Sequence, residues 1–238
     1  MNTSAESNKE SAASLARKIS HLLKPSRIVP HTSWTATGRW AVTPLNFLIL
    51  VVGLSIFGLG DSFIIQSHIG NAPWSVLAQG LSLHTPLSIG EATLVIGVLV
   101  LLLWLPLGQR PGFGTIANII VISASLQLGL YIFPVAPKNL IAQLAYVLFG
   151  IALVGAGTAL YITCGLGPGP RDGMMTALHK RTGIRVGRVR LFIEICALIV
   201  GAALGGRVGL GTALFALLIG NSMAIFLTVV NRAVGTTK

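Results

Sequence analysis

The chain has 238 residues, of which 53% are hydrophobic and only 10% charged, with a formal net charge of +11. Soluble domains carry about 25% charged residues, so this shortage excludes an ordinary soluble domain. The basic residues sit in a tail and in connections, where they set orientation and meet anionic lipid, and this excludes nucleic acid as the reason for the positive balance.

Residues 1–40 form a polar, Ser-rich, basic tail without the charged head and apolar core of a cleavable signal peptide. Within it Leu15, Ile19, Leu22 and Leu23 recur at helical spacing against Arg17, Lys18, Lys24 and Arg27. That pattern fits a helix lying on a membrane surface, and a disordered tail is the alternative. The first apolar run, residues 41–66, reaches the ~20 residues that cross a bilayer as a helix, a structure that satisfies its own backbone in hydrocarbon. It contains Asp61. The connection that follows reads His68-Ile69-Gly70-Asn71-Ala72-Pro73-Trp74-Ser75 and leads into a helical stretch over 73–84, about half the length needed to span. Runs at 89–107 and 113–133 complete a first membrane unit, residues 41–133. The second, residues 134–230, has runs at 140–163, 186–204 and 210–230, and a connection reading Gly165-Leu166-Gly167-Pro168-Gly169-Pro170-Arg171-Asp172 ahead of a short helix over 170–181. Residues 231–238 are a C-terminal tail.

Sliding one unit over the other at an offset of 97 aligns, without a gap, glycines 58/155, 60/157, 70/167, 90/187, 108/205, 112/209 and 114/211. Pro73/Pro170, Thr85/Thr182, Arg110/Arg207 and Thr115/Thr212 coincide as well. Chance matches of Leu and Ile are common in apolar sequence; a colinear register of Gly, Pro, Thr and Arg is not. Three spans per unit force the two units to lie oppositely in the membrane. The predicted fold is therefore all-α integral membrane, six transmembrane helices as two inverted three-span repeats, each with a Gly/Pro loop and a short half-length helix.

Loop charge gives an independent reading. Residues 67–88 hold no Lys or Arg, whereas 164–185 hold Arg171, Lys180, Arg181 and Arg185. The positive-inside rule puts the second set in the cytoplasm together with both termini. Lys138 and Arg207 are weak exceptions outside.

Proline at the first helical position preorganises a helix start, and the glycines before it permit tight turns. Gly70 and Pro73, and likewise Gly167 and Pro170, thus feed the two short helices. If these dip into the membrane from opposite faces, their N-terminal ends present free N–H groups near its middle, a way to hold anionic groups. The competing arrangement is a surface-lying helix that caps the bundle, which His179, Lys180 and Arg181 favour. Arg171 and Asp172 read either as substrate or coupling-ion contacts or as an internal ion pair facing the cytoplasm. Intramembrane acids are costly enough to be functional candidates. Asp61 and Glu194 qualify, Glu194 with Arg190 one turn earlier as its structural partner, and Glu91 reads as interfacial. Ala197, Gly201 and Gly205 form a small-residue stripe for close helix approach, within the chain or, as a second use, in a homodimer. Cys164 and Cys196 read as packing residues. No Walker loop, HExxH, GxSxG or metal-spaced Cys/His set occurs, so neither enzyme activity, a cofactor nor a metal is expected.

The segments GLGPGPRDGMMTALHKRTG (165–183), IGNAPWSVLAQGLS (69–82) and LPLGQRPGFGT (105–115) resemble the bacterial YczE/YyaS/YitT family of membrane proteins, over most of residues 41–230. The first loop departs from the family's GLGxxPWD pattern, with His68-Ile69 and Ser75 in place of Gly-Leu and Asp, which removes one acidic group. The resemblance implies a multi-pass protein of the bacterial cytoplasmic membrane and supplies no functional residues. The expected function is a secondary transporter or channel for a small solute, with a non-transporting partner or regulator of another complex as the alternative. The expected partners are the lipid bilayer and anionic lipid at the basic cytoplasmic face.

Overall fold

The computed structural model describes residues 29–234; the amphipathic pattern of residues 15–27 and the last four residues lie outside them. The first helix, α1 (Pro44–Gln66), starts at Thr43, whose hydroxyl accepts from the Asn46 N–H while the Asn46 carboxamide accepts from the Thr43 N–H. This box satisfies two end donors that otherwise lack partners. α2 (Pro73–His84) follows, then α3 (Ile89–Leu102), which opens on a Ser88–Glu91 capping box. The expected span 89–107 breaks at Leu103 into α3 and α4 (Trp104–Leu107). Pro106 explains the break, since it has no N–H for the Leu102 carbonyl and its ring crowds that oxygen. The remaining helices are α5 (Phe113–Ile132), α6 (Leu140–Thr163), α7 (Pro170–Thr182), α8 (Val186–Ala203) and α9 (Leu210–Val234). α9 runs four residues past the expected end at 230.

No strand occurs among the described residues. Among the described residues, five helices are long and apolar enough to cross a membrane: α1, α3 with α4, α5, α6 and α9. The sixth expected span, α8, stands apart because its 18 residues include Arg188, Arg190 and Glu194.

At the centre α1 crosses α6, and four glycines bring the two backbones together. A Cβ on Gly150 would lie 2.6 Å from the Gly60 carbonyl oxygen, and one on Gly53 would lie 3.1 Å from that of Gly157. No side chain fits there. α1 also packs on α5 and α6 on α9, with Gly58 against Ser125 and Gly155 against Ser222. These contacts repeat at the offset of 97 found in the sequence.

The connecting loops are docked crosswise. The Gly114 N–H at the start of α5 donates to the Leu166 carbonyl (2.8 Å), and the Gly211 N–H at the start of α9 donates to the Ile69 carbonyl (2.8 Å). Gly167 and Gly70 sit at φ +114° and +123°, each tight against the threonine that begins the other half's last helix, Thr115 and Thr212. His68 holds a left-handed φ of 60° where the second half has Gly165 at 68°. It contacts Arg207, and burial together with that guanidinium pushes its imidazole below the ordinary range.

α2 packs on α8, and α7 on α3 and α4. Trp104 is fully buried against Gly173, with its indole N–H donating to the Pro170 carbonyl (2.9 Å). The small-residue stripe of α8 is used within the chain, since Gly201 rests on Leu77 and Gly80 of α2. Cys164 is buried as expected; Cys196, read as a packing residue, is instead exposed, because it faces outward beside Ile195 and Ile199. Large apolar side chains stand exposed on the outer faces of the long helices, among them Leu48, Ile120, Ile141, Phe192 and Leu217. Outward apolar faces, with charged side chains kept inside, are the pattern a bilayer selects.

Candidate functional site

A cavity of about 470 Å³ opens between α1, α6 and the first turns of α2 and α7, with α3, α5, α8 and α9 closing its sides. That is within the range of about 300–1,000 Å³ typical of small-molecule sites. Its walls are largely apolar, supplied by Phe57, Ile119, Ile122, Val154, Phe215 and Ile219, and into it project Asp61, Arg171, Asp172, Arg190 and Glu194. The chain folds this way because the prolines at positions 73 and 170 start both short helices inside the protein. Neither helix has a side-chain cap at its preceding residue, Ala72 or Gly169.

Each acid has a defined partner. The Ser75 hydroxyl donates to Asp61 Oδ2 at 2.6 Å, the Tyr161 hydroxyl donates to Asp172 Oδ2 at 2.9 Å, and Arg190 Nε donates to Glu194 Oε1 at 2.9 Å. The Arg171 guanidinium lies over the Trp74 ring, 4.6 Å from its centroid, close enough for a cation–π interaction. Trp74 and Arg171 are equivalent under the offset of 97, as are Ser75 and Asp172, so two equivalent side chains meet face to face in the middle. Each half also keeps a carboxyl–hydroxyl pair between its short helix and its first long helix. The donor and acceptor simply exchange places: acid on α1 and hydroxyl on α2, then hydroxyl on α6 and acid on α7.

Of the residues singled out in the sequence, Asp61, Pro73, Gly167, Pro170, Arg171, Asp172 and Glu194 all line this cavity. Gly70 does not; it is consumed in docking its loop onto Gly209 and Thr212. The reading of Arg171 with Asp172 as a direct ion pair is corrected. Adjacent on the helix, their side chains diverge, to Trp74 and to Tyr161. The surface-lying reading of the short helices fails at their first turns, which are inside, although Lys180 and Arg181 at the far end of α7 are exposed. Tyr161 and Trp74 were missed as site residues. Ser75 was read as the loss of an acid, yet it holds one, Asp61.

Arg190 and Glu194 are paired and line the cavity at once, with side chains 43% and 27% exposed. A pair this open is worth little to stability. Replacing both, in Arg190→Gln with Glu194→Gln, is therefore expected to leave the thermal midpoint in detergent within a few degrees of the parent; a large drop would assign the pair to structure alone.

A model of a family of unknown function (DUF6198) matches residues 45–228. An uncharacterized protein of Haemophilus influenzae is 43% identical over 209 residues, covering 88% of this chain and 95% of its own. YczE, an uncharacterized membrane protein of Bacillus subtilis, is 30% identical over 178 residues (74% and 82%), and YyaS of the same organism is 24% identical over 192 residues (79% and 95%). No solved structure matches. The apolar helices and these relatives together make the chain a multi-pass membrane protein, and it belongs to the DUF6198 family alongside its relatives YczE and YyaS.

Proposed function

We propose that this protein carries a small solute across the bacterial cytoplasmic membrane, as a secondary transporter or channel with the central cavity as its binding site. The observation that supports this best is the convergence of both short-helix starts, three carboxylates and two guanidinium groups on one cavity inside an apolar bundle. Charges in a bilayer interior are costly and persist where they meet a pathway or a ligand. Broken helices whose N-termini face a central site are a recurrent device of secondary transporters. A non-transporting partner or regulator would be expected to keep a dry interior.

The same reading takes the two halves as inverted repeats of three spans each. Reciprocal docking at one offset supports the pseudo-two-fold relation. α8 is the sixth span: 18 helical residues rise about 27 Å, Leu191, Phe192 and Ile199 face outward, and Arg190 and Glu194 turn to the cavity. Both termini are cytoplasmic. Arg39, Arg110, Lys180 and Arg181 surround a recess of about 400 Å³ on the side assigned to the cytoplasm, which supports a contact with anionic lipid.

In a Cys196→Ser background, an impermeant thiol reagent applied to intact cells is expected to label Ser82→Cys and spare Lys180→Cys. The reverse pattern overturns the orientation and the inverted repeat with it. For transport, proteoliposomes holding Met223→Cys in the same background are expected to take up at least one of a panel of labelled small solutes, and to stop when a thiol reagent fills the cavity that Met223 lines. Uptake of none, or uptake indifferent to the reagent, overturns the transport reading.

A further inference from the structure

We propose that the cavity binds a small zwitterion, an ammonium carboxylate of the α-amino-acid type, with its ammonium on Asp61 and its carboxylate on Arg171. This rests on the reading of the cavity as a ligand site and names the class of ligand.

Two unmet needs of opposite sign belong to side chains that line the same cavity. Asp61 is only 6% exposed, and while its Oδ2 takes the Ser75 hydroxyl, its Oδ1 is buried without any hydrogen-bond partner. A carboxylate oxygen in that position calls for a donor, because desolvation without a partner is costly. Arg171 has the complementary deficit. Trp74 covers one face of its guanidinium, and no acceptor among the described residues lies within hydrogen-bonding reach of its five N–H groups. A planar guanidinium fixed on an aromatic ring is preorganised for a carboxylate, which it can grip at two points.

The two groups do not satisfy each other. Arg171 feels the charges of Asp61, Asp172 and Glu194, yet it forms no ion pair with any of them. Ser75 on α2 holds Asp61 and Tyr161 on α6 holds Asp172, so both carboxylates are engaged elsewhere and neither closes on the guanidinium. A purely anionic ligand would meet Arg171 but crowd Asp61 and leave Oδ1 bare. A purely cationic one would leave Arg171 without an acceptor. One molecule carrying both charges meets both needs, and the apolar wall of Phe57, Ile122, Val154 and Phe215 receives its remaining carbon skeleton.

The test is calorimetric binding to the full-length protein in detergent. Alanine, leucine and phenylalanine are compared with counterparts that each lack one charge, for leucine isoamylamine and 4-methylpentanoate. At least one of the three zwitterions is expected to bind, and about tenfold or more tighter than its amine and its acid, the loss of one charge-assisted contact. Arg171→Gln should bring the zwitterion down to the level of the amine, and Asp61→Asn to that of the acid. The wild-type series decides the matter even if a variant does not fold. An amine or acid that binds as well as its zwitterion overturns the assignment, and so does a folded protein that binds none of the three. Uptake separates this from the transport reading: binding without uptake keeps the ligand class and sinks transport, whereas uptake of singly charged solutes alone sinks the class and keeps transport.

Discussion

Replacing Gly157 by leucine is expected to abolish assembly of the helix bundle. A Cβ at that position would come within 2.6 Å of the Phe57 amide nitrogen on α1, and closer still to the Gly53 carbonyl oxygen. Backbone cannot rotate away as a side chain can. The crossing of α1 and α6 would have to open along its length, and with it the packing of Leu54, Ile64, Val147 and Val154. Overpacking a close core commonly costs about 1–3 kcal/mol and more where nothing can yield. The expected result is loss of the monodisperse peak on size exclusion in detergent, with Gly60→Leu behaving alike. Gly187→Ala is the control, since nothing lies within 4 Å of a Cβ there; alanine for glycine in a helix is neutral or stabilising. A Gly157→Leu protein with an unchanged thermal midpoint would show that the crossing is not the structural centre described above.

Trp104→Ala should cost about 3–5 kcal/mol, the range for removing a large aromatic from a core. The indole is 1% exposed, packs on Gly173 and satisfies the Pro170 carbonyl at the first turn of α7. Its loss removes both packing and the one hydrogen bond that ties this turn to α4. Gly173→Ala should be damaging from the other side, because its new methyl would occupy the ring's position. Under the offset of 97 the equivalent positions also meet, here through backbone: Val76 and Leu77 on α2 lie against Gly201 on α8. The double variant Trp104→Leu with Gly173→Ala is accordingly expected to be more stable than the sum of its single changes predicts, read as thermal midpoints in a double-mutant cycle. Strict additivity would mean that the two sites do not share one packing space.

Much of this architecture can be read directly, because a bilayer enforces a length on apolar helices and the chain has little else. The limits of α6 and α2 coincide with their apolar runs, and glycine and proline mark both loops. The break at Leu103 was also visible in principle, as Pro106, but an apolar run continuing to Leu107 concealed it. The offset of 97 says which residues are equivalent and says nothing of which ones touch. So the crosswise docking of Ile69 on Gly211 and Leu166 on Gly114 was illegible, although all four residues stand within the aligned segments. The site shows the same limit. Asp61 was legible as a costly acid and Asp172 only as half of a contact or ion pair with Arg171; that both take hydroxyl partners, on exchanged sides, was not, since Tyr161 lies in an apolar run and Ser75 is an ordinary helix-start residue.

The crosswise docking also sets a timetable for biogenesis. The loop at Ile69 leaves the ribosome with its own half, but the N–H it serves belongs to Gly211, 142 residues later in the chain. At about 5–20 residues per second, synthesis reaches that partner roughly 7–28 s afterwards. Through that interval the first half, including Asp61 and the start of α2, waits in the membrane without the segment that closes it. The reverse contact waits less, because only 52 residues separate Gly114 from Leu166. The last helix inserted is thus the one that completes the earliest loop, and a chain stopped before Gly211 retains an open first loop beside a closed second one.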